Sequence, residues 1–127
     1  MNYSQILLIL GRVFLGGFFV VGGAHHFFTL PELTSAMKAR GVPAARLVLV
    51  AGSVFQIIAG LLLMLGVCAG WAALGLVLFT VVASIMFLNF WDAEGPAREA
   101  ARIGFQTNVG IIGGLLIAAA QAGLPWY

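Results

Sequence analysis

Four long apolar runs alternate along the chain with three short breaks built from polar residues, glycine and proline. The runs extend over about residues 4–28, 46–65, 71–89 and 104–122. A bilayer core about 30 Å thick is crossed by about 20 apolar residues of α-helix rising 1.5 Å each, so every run is long enough to span. The pattern predicts an all-α integral membrane protein, a single four-transmembrane-helix bundle over residues 1–127. Pro31 closes the first run. After it, "PELTSAMKARG" places Pro31 and Glu32 first and Lys38 and Arg40 last, the order that complements a helix dipole. That predicts a short interfacial helix in the first connection. In the third, "WDAEGPAREAARIGF" sets Pro96 ahead of Arg98, Glu99 and Arg102 at helical spacing, which predicts a second short surface-lying helix.

Composition supports the same solvent. Hydrophobic residues make up 62% of the chain and charged residues 8%, against about 25% charged in ordinary soluble domains. The partner implied is the lipid bilayer. A formal charge of +2 rests on very few ionisable groups, most of them in the connections, and gives no reason to invoke nucleic acid. The first run is expected to stay as a helix rather than be cleaved as a signal peptide, because no Lys or Arg precedes it, it is too long, and no small-x-small site follows. Cys68 is the single cysteine, so an internal disulfide and a tetrathiolate metal site are both excluded, and it is expected to be a small packing residue.

Basic residues are retained on the cytoplasmic side of a membrane. Lys38, Arg40 and Arg46 flank the first connection, and Arg98 and Arg102 lie in the third. Connections 29–45 and 90–103 are therefore expected in the cytoplasm and both termini in the periplasm. Tyr3, Trp71, Trp126 and Tyr127 then belong to the uncharged interface, and Trp91 to the charged one.

Membrane helices associate through close approach at small residues and through polar contacts. In the first span Arg12, Gly16, Phe19, Gly23 and His26 follow at alternating steps of four and three, the spacing of one helical seam. Gly52, Gln56, Ala59, Leu63 and Gly66 repeat it in the second span. Thr80, Ser84, Phe87 and Trp91 form a stripe in the third, and the fourth offers Asn108 beside a small-residue stripe of Gly110 and Gly114. Packing alone accounts for glycines so spaced. Arg12 differs, because an arginine about two turns inside a span costs about 2.5 to 3.5 kcal/mol on insertion scales. Either it snorkels to the nearer interface, or it faces the bundle and meets an acceptor such as a carbonyl, Gln56, or an anionic or quinone-type headgroup.

The only two histidines stand in "GGAHHFF". Neighbours on a helix diverge by about 100°, so His25 and His26 cannot share one metal or haem iron, and paired HxxxH or ExxH spacing is absent. No metal site is expected. His26 shares the Arg12 seam and is read as the inward residue, suited to bond a quinone carbonyl or pass a proton; an interfacial histidine satisfied by water is the plainer alternative. His25 points toward headgroups. No carboxylate lies inside a span, against an acidic proton relay. Serine–histidine–aspartate arrangements and phosphate-cradling loops are missing too.

These residues resemble DoxX-like membrane proteins. The first span, "GRVFLGGFFVVGGAHHFF", has the early Arg, the Gly-rich middle and an ending filled here by Gly23, His26 and Phe27. The similarity continues through "GVP" (41–43), "QIIAGLLLMLG" (56–66), "NFW" (89–91) and "FQTNVGIIGGLL" (105–116). Gln56 stands where the family often has an acid, and Thr107-Asn108 where it often has Lys-Asn. Both departures remove charge, which favours hydrogen bonding over proton exchange at these positions. The resemblance implies a four-helix bundle in a bacterial inner membrane, linked in some members to quinol oxidases, quinone-coupled thiosulfate oxidation or thiol- and superoxide-handling complexes.

The resulting expectation is a small accessory subunit of a membrane redox or quinone-linked system, not catalytic on its own. A polar pocket would have Arg12, Gln56 and Asn108 in its wall, His26 and Trp91 near its cytoplasmic mouth, and Phe19, Phe87 and Phe105 as apolar sides. A quinone or lipid would fit it. Any haem, flavin or thiol would come from a redox-enzyme partner subunit, since the chain is expected to carry no cofactor of its own. The rivals are a non-catalytic scaffold that recruits a partner and a small-solute transporter, which would need a homo-oligomer.

Overall fold

The computed structural model describes residues 2–125; the interfacial placement expected for Trp126 and Tyr127 lies outside the described residues. Helix α1 covers Tyr3–Phe28 and starts at a capping box, with Asn2 Oδ1 accepting from the Gln5 N–H at 2.9 Å and Gln5 Oε1 from the Asn2 N–H at 3.0 Å. Pro31, in the first turn of α2 (Leu30–Ala39), marks the break between them. Met37 is the buried residue of this short amphipathic helix, and Glu32 and Lys38 occupy its two ends. Helix α3, Ala45–Leu65, stops at Gly66, whose φ of 76° lets the Gly66 and Val67 N–H groups turn back onto Leu63 O and Leu62 O. A tight turn then enters α4, Ala69–Phe87. The third connection holds one 3-10 turn, Phe90–Asp92, and α5 runs from Gly95 to Ala122. Arg98, Glu99 and Arg102 thus ride on the first turns of α5 itself, continuous with the fourth span.

The four long helices run up, down, up, down. Helix α1 lies along α3, α3 along α4, and α4 along α5, while α5 closes only lightly onto α1. The α1–α3 crossing is close because both partners are glycine where backbones meet: a Cβ on Gly16 would stand 2.4 Å from Gly60 O, and one on Gly60 would stand 2.7 Å from Gly16 O. Two apolar clusters hold the bundle. Phe19, Leu63, Leu76, Leu115 and Ala119 fill the end near the α3–α4 turn, and Met37, Ala45 and Leu49 fill the end under α2. Between them lie the buried polar side chains Ser53, Gln56, Thr80 and Ser84.

The outer surface is apolar at bilayer depth. Leu7, Phe14, Val21 and Phe28, seven residues apart on α1, are 67%, 72%, 70% and 83% exposed. Such a stripe would drive aggregation in water; against acyl chains it is in its own solvent. All four long helices meet the length and hydropathy of a membrane span.

Candidate functional site

The polar layer borders a cavity of about 540 Å³. Helix α1 contributes Phe19, Gly22 and His26 to its wall, α3 contributes Gly52, Ser53 and Gln56, α4 contributes Thr80 and Phe87, and α5 contributes Asn108. Leu33 and Met37 of α2 cover the end away from the α3–α4 turn. Phe18, Val48 and Val82 also line it and are themselves 52%, 42% and 49% exposed, so the cavity opens sideways toward the bilayer.

Each polar group is positioned by a local feature of its helix. His26 Nδ1 and Ser53 Oγ form a hydrogen bond of 2.9 Å between α1 and α3. Gln56, only 5% exposed, donates from Nε2 to Phe19 O at 2.9 Å. Room for that amide comes from Gly22, where a Cβ would lie 2.9 Å from Nε2; at Gly23 a Cβ would lie 3.0 Å from Ser53 O. On α4, Thr80 donates to Leu76 O at 2.7 Å and Ser84 to Thr80 O at 2.6 Å, each bonding back to its own helix. Asn108 Nδ2 then donates to Ser84 Oγ at 2.9 Å, joining α5 to α4.

Three of the sequence-derived residues, His26, Gln56 and Asn108, therefore meet around one space, and two do not. Arg12 lies at the opposite end of the α1–α3 seam, where its guanidinium atoms come within 3.0 to 3.2 Å of the place a Cβ on Gly66 would occupy. That is the carboxyl end of α3, whose last turn has no basic residue of its own, so the positive charge sits at the negative pole of the neighbouring helix. It does not share a wall with Gln56. Trp91 follows the end of α4, is 50% exposed, and packs edge-on to Phe90 and Phe105 at centroid distances of 5.4 and 5.9 Å. Neither Trp91 nor Phe105 lines the cavity, whereas Phe19 and Phe87 do. His25 is exposed, as its heading on the helix requires.

Residues absent from the sequence-derived site complete it. Ser53, three positions before Gln56 on the same helix face, is 1% exposed and anchors His26; a lone hydroxyl in an apolar run was the available signal. Arg40 reaches from the end of α2 to Met86 O and, at 2.7 Å, to Asn89 Oδ1, with its guanidinium 5.7 Å from the centre of the Phe87 ring. It ties the covering helix to the carboxyl end of α4. No sequence spacing links residues so far apart.

Among the described residues the lining holds one titratable side chain, His26, and no formal charge from Asp, Glu, Lys or Arg. The His26–Ser53 pair brings a hydroxyl to an imidazole, but Ser53 is buried in mid-helix, where backbone N–H groups serve the helix ladder and leave no oxyanion donors. What the wall can do is hydrogen-bond one small polar head while apolar side chains take the rest of an amphiphile.

The helices and the cavity together make this a multi-pass membrane bundle with a polar layer that opens sideways to lipid. The DoxX family model matches residues 7–89, more than half of the chain, and the protein belongs to the DoxX family. It is also similar to the inner membrane protein YphA of Escherichia coli (strain K12), 25% identical over 114 residues that make up 90% of this chain and 81% of the relative. No solved structure matches the chain.

Proposed function

We propose that this DoxX-family protein is a small accessory subunit of a membrane redox or quinone-linked system, whose cavity holds the head of a quinone or another lipid. The observation that carries the reading is the coincidence, at one depth, of His26, Ser53, Gln56, Thr80 and Asn108 around a laterally open apolar space. Polar side chains gathered around one space inside a membrane bundle mark a functional site more often than a purely structural one. The residues suit such a head: Phe18, Phe19, Phe79 and Phe87 supply aromatic walls beside the hydrogen-bonding groups, and the lining holds no Asp, Glu, Lys or Arg. When bound, a quinone would supply two-electron chemistry; the chain's residues bind and orient its head, and the oxidoreductase partner carries the electron-transfer centre. Arg12 and Trp91, both away from the cavity, take structural roles in this reading.

By the basic-residue rule and by similarity to an inner membrane relative, the protein lies in the inner membrane with connections 29–45 and 90–103 in the cytoplasm and both termini in the periplasm. The cavity then faces the cytoplasmic leaflet. Purification from native membranes into lipid nanodiscs, followed by extraction and mass spectrometry, tests the function. Quinone or one lipid class is expected above its bulk-membrane fraction; Ala83 of α4 also lines the cavity, and Ala83→Phe, which adds a ring there, is expected to remove that excess from a folded bundle. Bulk-like content in both proteins would refute the cavity reading. Labelling of Ser35→Cys from the periplasm of intact cells would refute the orientation.

The scaffold reading has one observation in its favour. A Cβ at Gly110 or Gly113 of α5 would meet no other element within 4 Å among the described residues, leaving a small-residue face open in the bilayer. Crosslinking from Gly110→Cys to another polypeptide, with no enriched small molecule, would favour it.

A further inference from the structure

Arg12 carries a charge that the chain does not answer. A guanidinium has five N–H donors, and among the described residues no hydrogen bond or ion pair engages any of them. Its Nε is buried without a partner, while Nη1 and Nη2 are neither bonded nor buried. The pole of α3 beside it is equivalent to only about half a charge. Glu32, Asp92, Glu94 and Glu99 all lie in or beside the first and third connections, at the opposite end of the bundle. Gln5, about two turns earlier on the same face of α1, is a second free donor. Its Oε1 accepts from the Asn2 N–H, which can only donate, so the amide orientation is fixed and Nε2 is left unused. Gln5, Leu8, Ile9 and Arg12 line one groove of about 370 Å³ on the surface of α1. Helical side chains lean toward the amino terminus, which carries the guanidinium toward Gln5. The guanidinium also lies against Gly66, where α3 ends and the chain turns back. The groove therefore sits at the end of the bundle, where the acyl chains of one leaflet meet its headgroups.

We propose that this groove holds a phospholipid of the leaflet at the α3–α4 turn, with its phosphate on the Arg12 Nη donors and the Gln5 amide and an acyl chain along Leu8 and Ile9. The chemistry is complementary. The groove presents donors and one positive charge, and its one side-chain acceptor, Gln5 Oε1, is already engaged. A phosphate presents acceptor oxygens and negative charge, and the planar guanidinium fork matches two of those oxygens at once. A headgroup that lacks phosphate leaves the arginine unanswered. This site is separate from the cavity and does not rest on what the cavity holds.

The test is native mass spectrometry of the full chain, titrated with phosphatidylglycerol and with diacylglycerol of the same acyl chains. The wild type is expected to bind phosphatidylglycerol about tenfold to a hundredfold more tightly, the worth of hydrogen bonds to a charged group. Arg12→Gln is expected to cut that ratio to about twofold or less. Gln5→Glu keeps an acceptor for the capping box while replacing the free donor by a negative charge, and is expected to lower the ratio about fivefold. Arg98→Gln removes a charge from the exposed start of α5, at the opposite end, and is expected to leave the ratio unchanged. Equal binding of the two lipids by the wild type, a wild-type ratio in folded Arg12→Gln or Gln5→Glu, or an equal fall in Arg98→Gln overturns the proposal. So does displacement of the lipid by excess inorganic phosphate, which would mark a site for free anions. Gln5→Glu alters only an exposed first turn, so it decides the matter even if Arg12→Gln does not fold.

Discussion

The glycines at 16 and 17 stand side by side in α1 and make opposite predictions. A Cβ on Gly16 would lie 2.4 Å from Gly60 O and 2.6 Å from Met64 Cγ, whereas one on Gly17 would meet nothing within 4 Å. Ordinary van der Waals contact starts near 3.4 Å, so Gly16→Ala is about 1 Å short of fitting, and the obstructing oxygen belongs to a helix backbone that has no rotamer to change. Helices α1 and α3 must separate. A gap of that size forfeits about a quarter to a half of each dispersion contact along the crossing, and overpacking of this kind typically costs about 1 to 3 kcal/mol. Alanine returns about 0.5 to 1 kcal/mol of helix propensity at either position. The net expectation is a loss of about 1 to 2 kcal/mol for Gly16→Ala, and no loss or a slight gain for Gly17→Ala. Reversible unfolding in mixed detergent and SDS micelles, followed by circular dichroism, reads the difference as a shift in the midpoint SDS fraction. If both variants unfold with the wild type, the close α1–α3 crossing is not how this bundle is held.

Two further substitutions separate structural from binding roles. Arg12→Leu is expected to leave the cavity's occupant in the nanodisc extraction unchanged, because the guanidinium lies at the end of α3 and not at the cavity; loss of that molecule from a folded Arg12→Leu bundle would contradict that placement. Arg40→Ala removes the bonds from α2 to Met86 O and Asn89 Oδ1. Faster amide exchange confined to α2 is expected, with a cost of about 1 kcal/mol or less for an exposed cation at a helix terminus; unchanged α2 protection would show that Leu33 and Met37 hold the covering helix without it.

The four long helices were legible because length and hydropathy alone define them. The charged start of α5 was harder, since "AREAAR" reads as a surface segment and only the coordinates show its helix running unbroken into the span. The seam on α1 was legible as a face: Gly16, Phe19 and Gly23, read from spacing, are its buried residues. Spacing does not give height. Arg12 shares that face with Phe19 but stands seven residues, about 10 Å, along the axis, and helical side chains lean toward the amino terminus, away from Gln56. Trp91 was reached by extending the Thr80–Ser84 stripe past Phe87, where the helix ends and the stripe loses its meaning. Gly60 and Ser53 each sit one position from the stripe chosen for the second span, and two adjacent seams on one helix look equally regular until a partner helix selects between them. Gly110 shows the converse, a regular small-residue position against which no other element packs among the described residues.

The hydrogen bonds divide the bundle in a way that explains where the cavity lies. His26–Ser53 and Gln56–Phe19 join α1 to α3, and Asn108–Ser84 joins α5 to α4. Each pair of helices is thus stitched internally at the same depth. Across the division the contacts are apolar at the turn end, through Leu63, Leu76 and Leu115, and at the other end Arg40 ties α2 to α4. Between these two closures no hydrogen bond among the described residues joins one pair to the other, and the light contact of α1 with α5 leaves that side without a tight helix–helix seam. A void between two internally satisfied pairs needs no occupant for the fold to form, since Thr80 and Ser84 bond to their own helix. Gln56 is the exception, because its nitrogen is spent on holding α1 and its oxygen is left over. A molecule seated in the cavity touches α1 and α3 on one side and α4 and α5 on the other, so it binds the folded bundle and not the separated pairs. It therefore stabilises the bundle in proportion to the logarithm of its concentration over its dissociation constant, which couples occupancy of the cavity to the integrity of the fold.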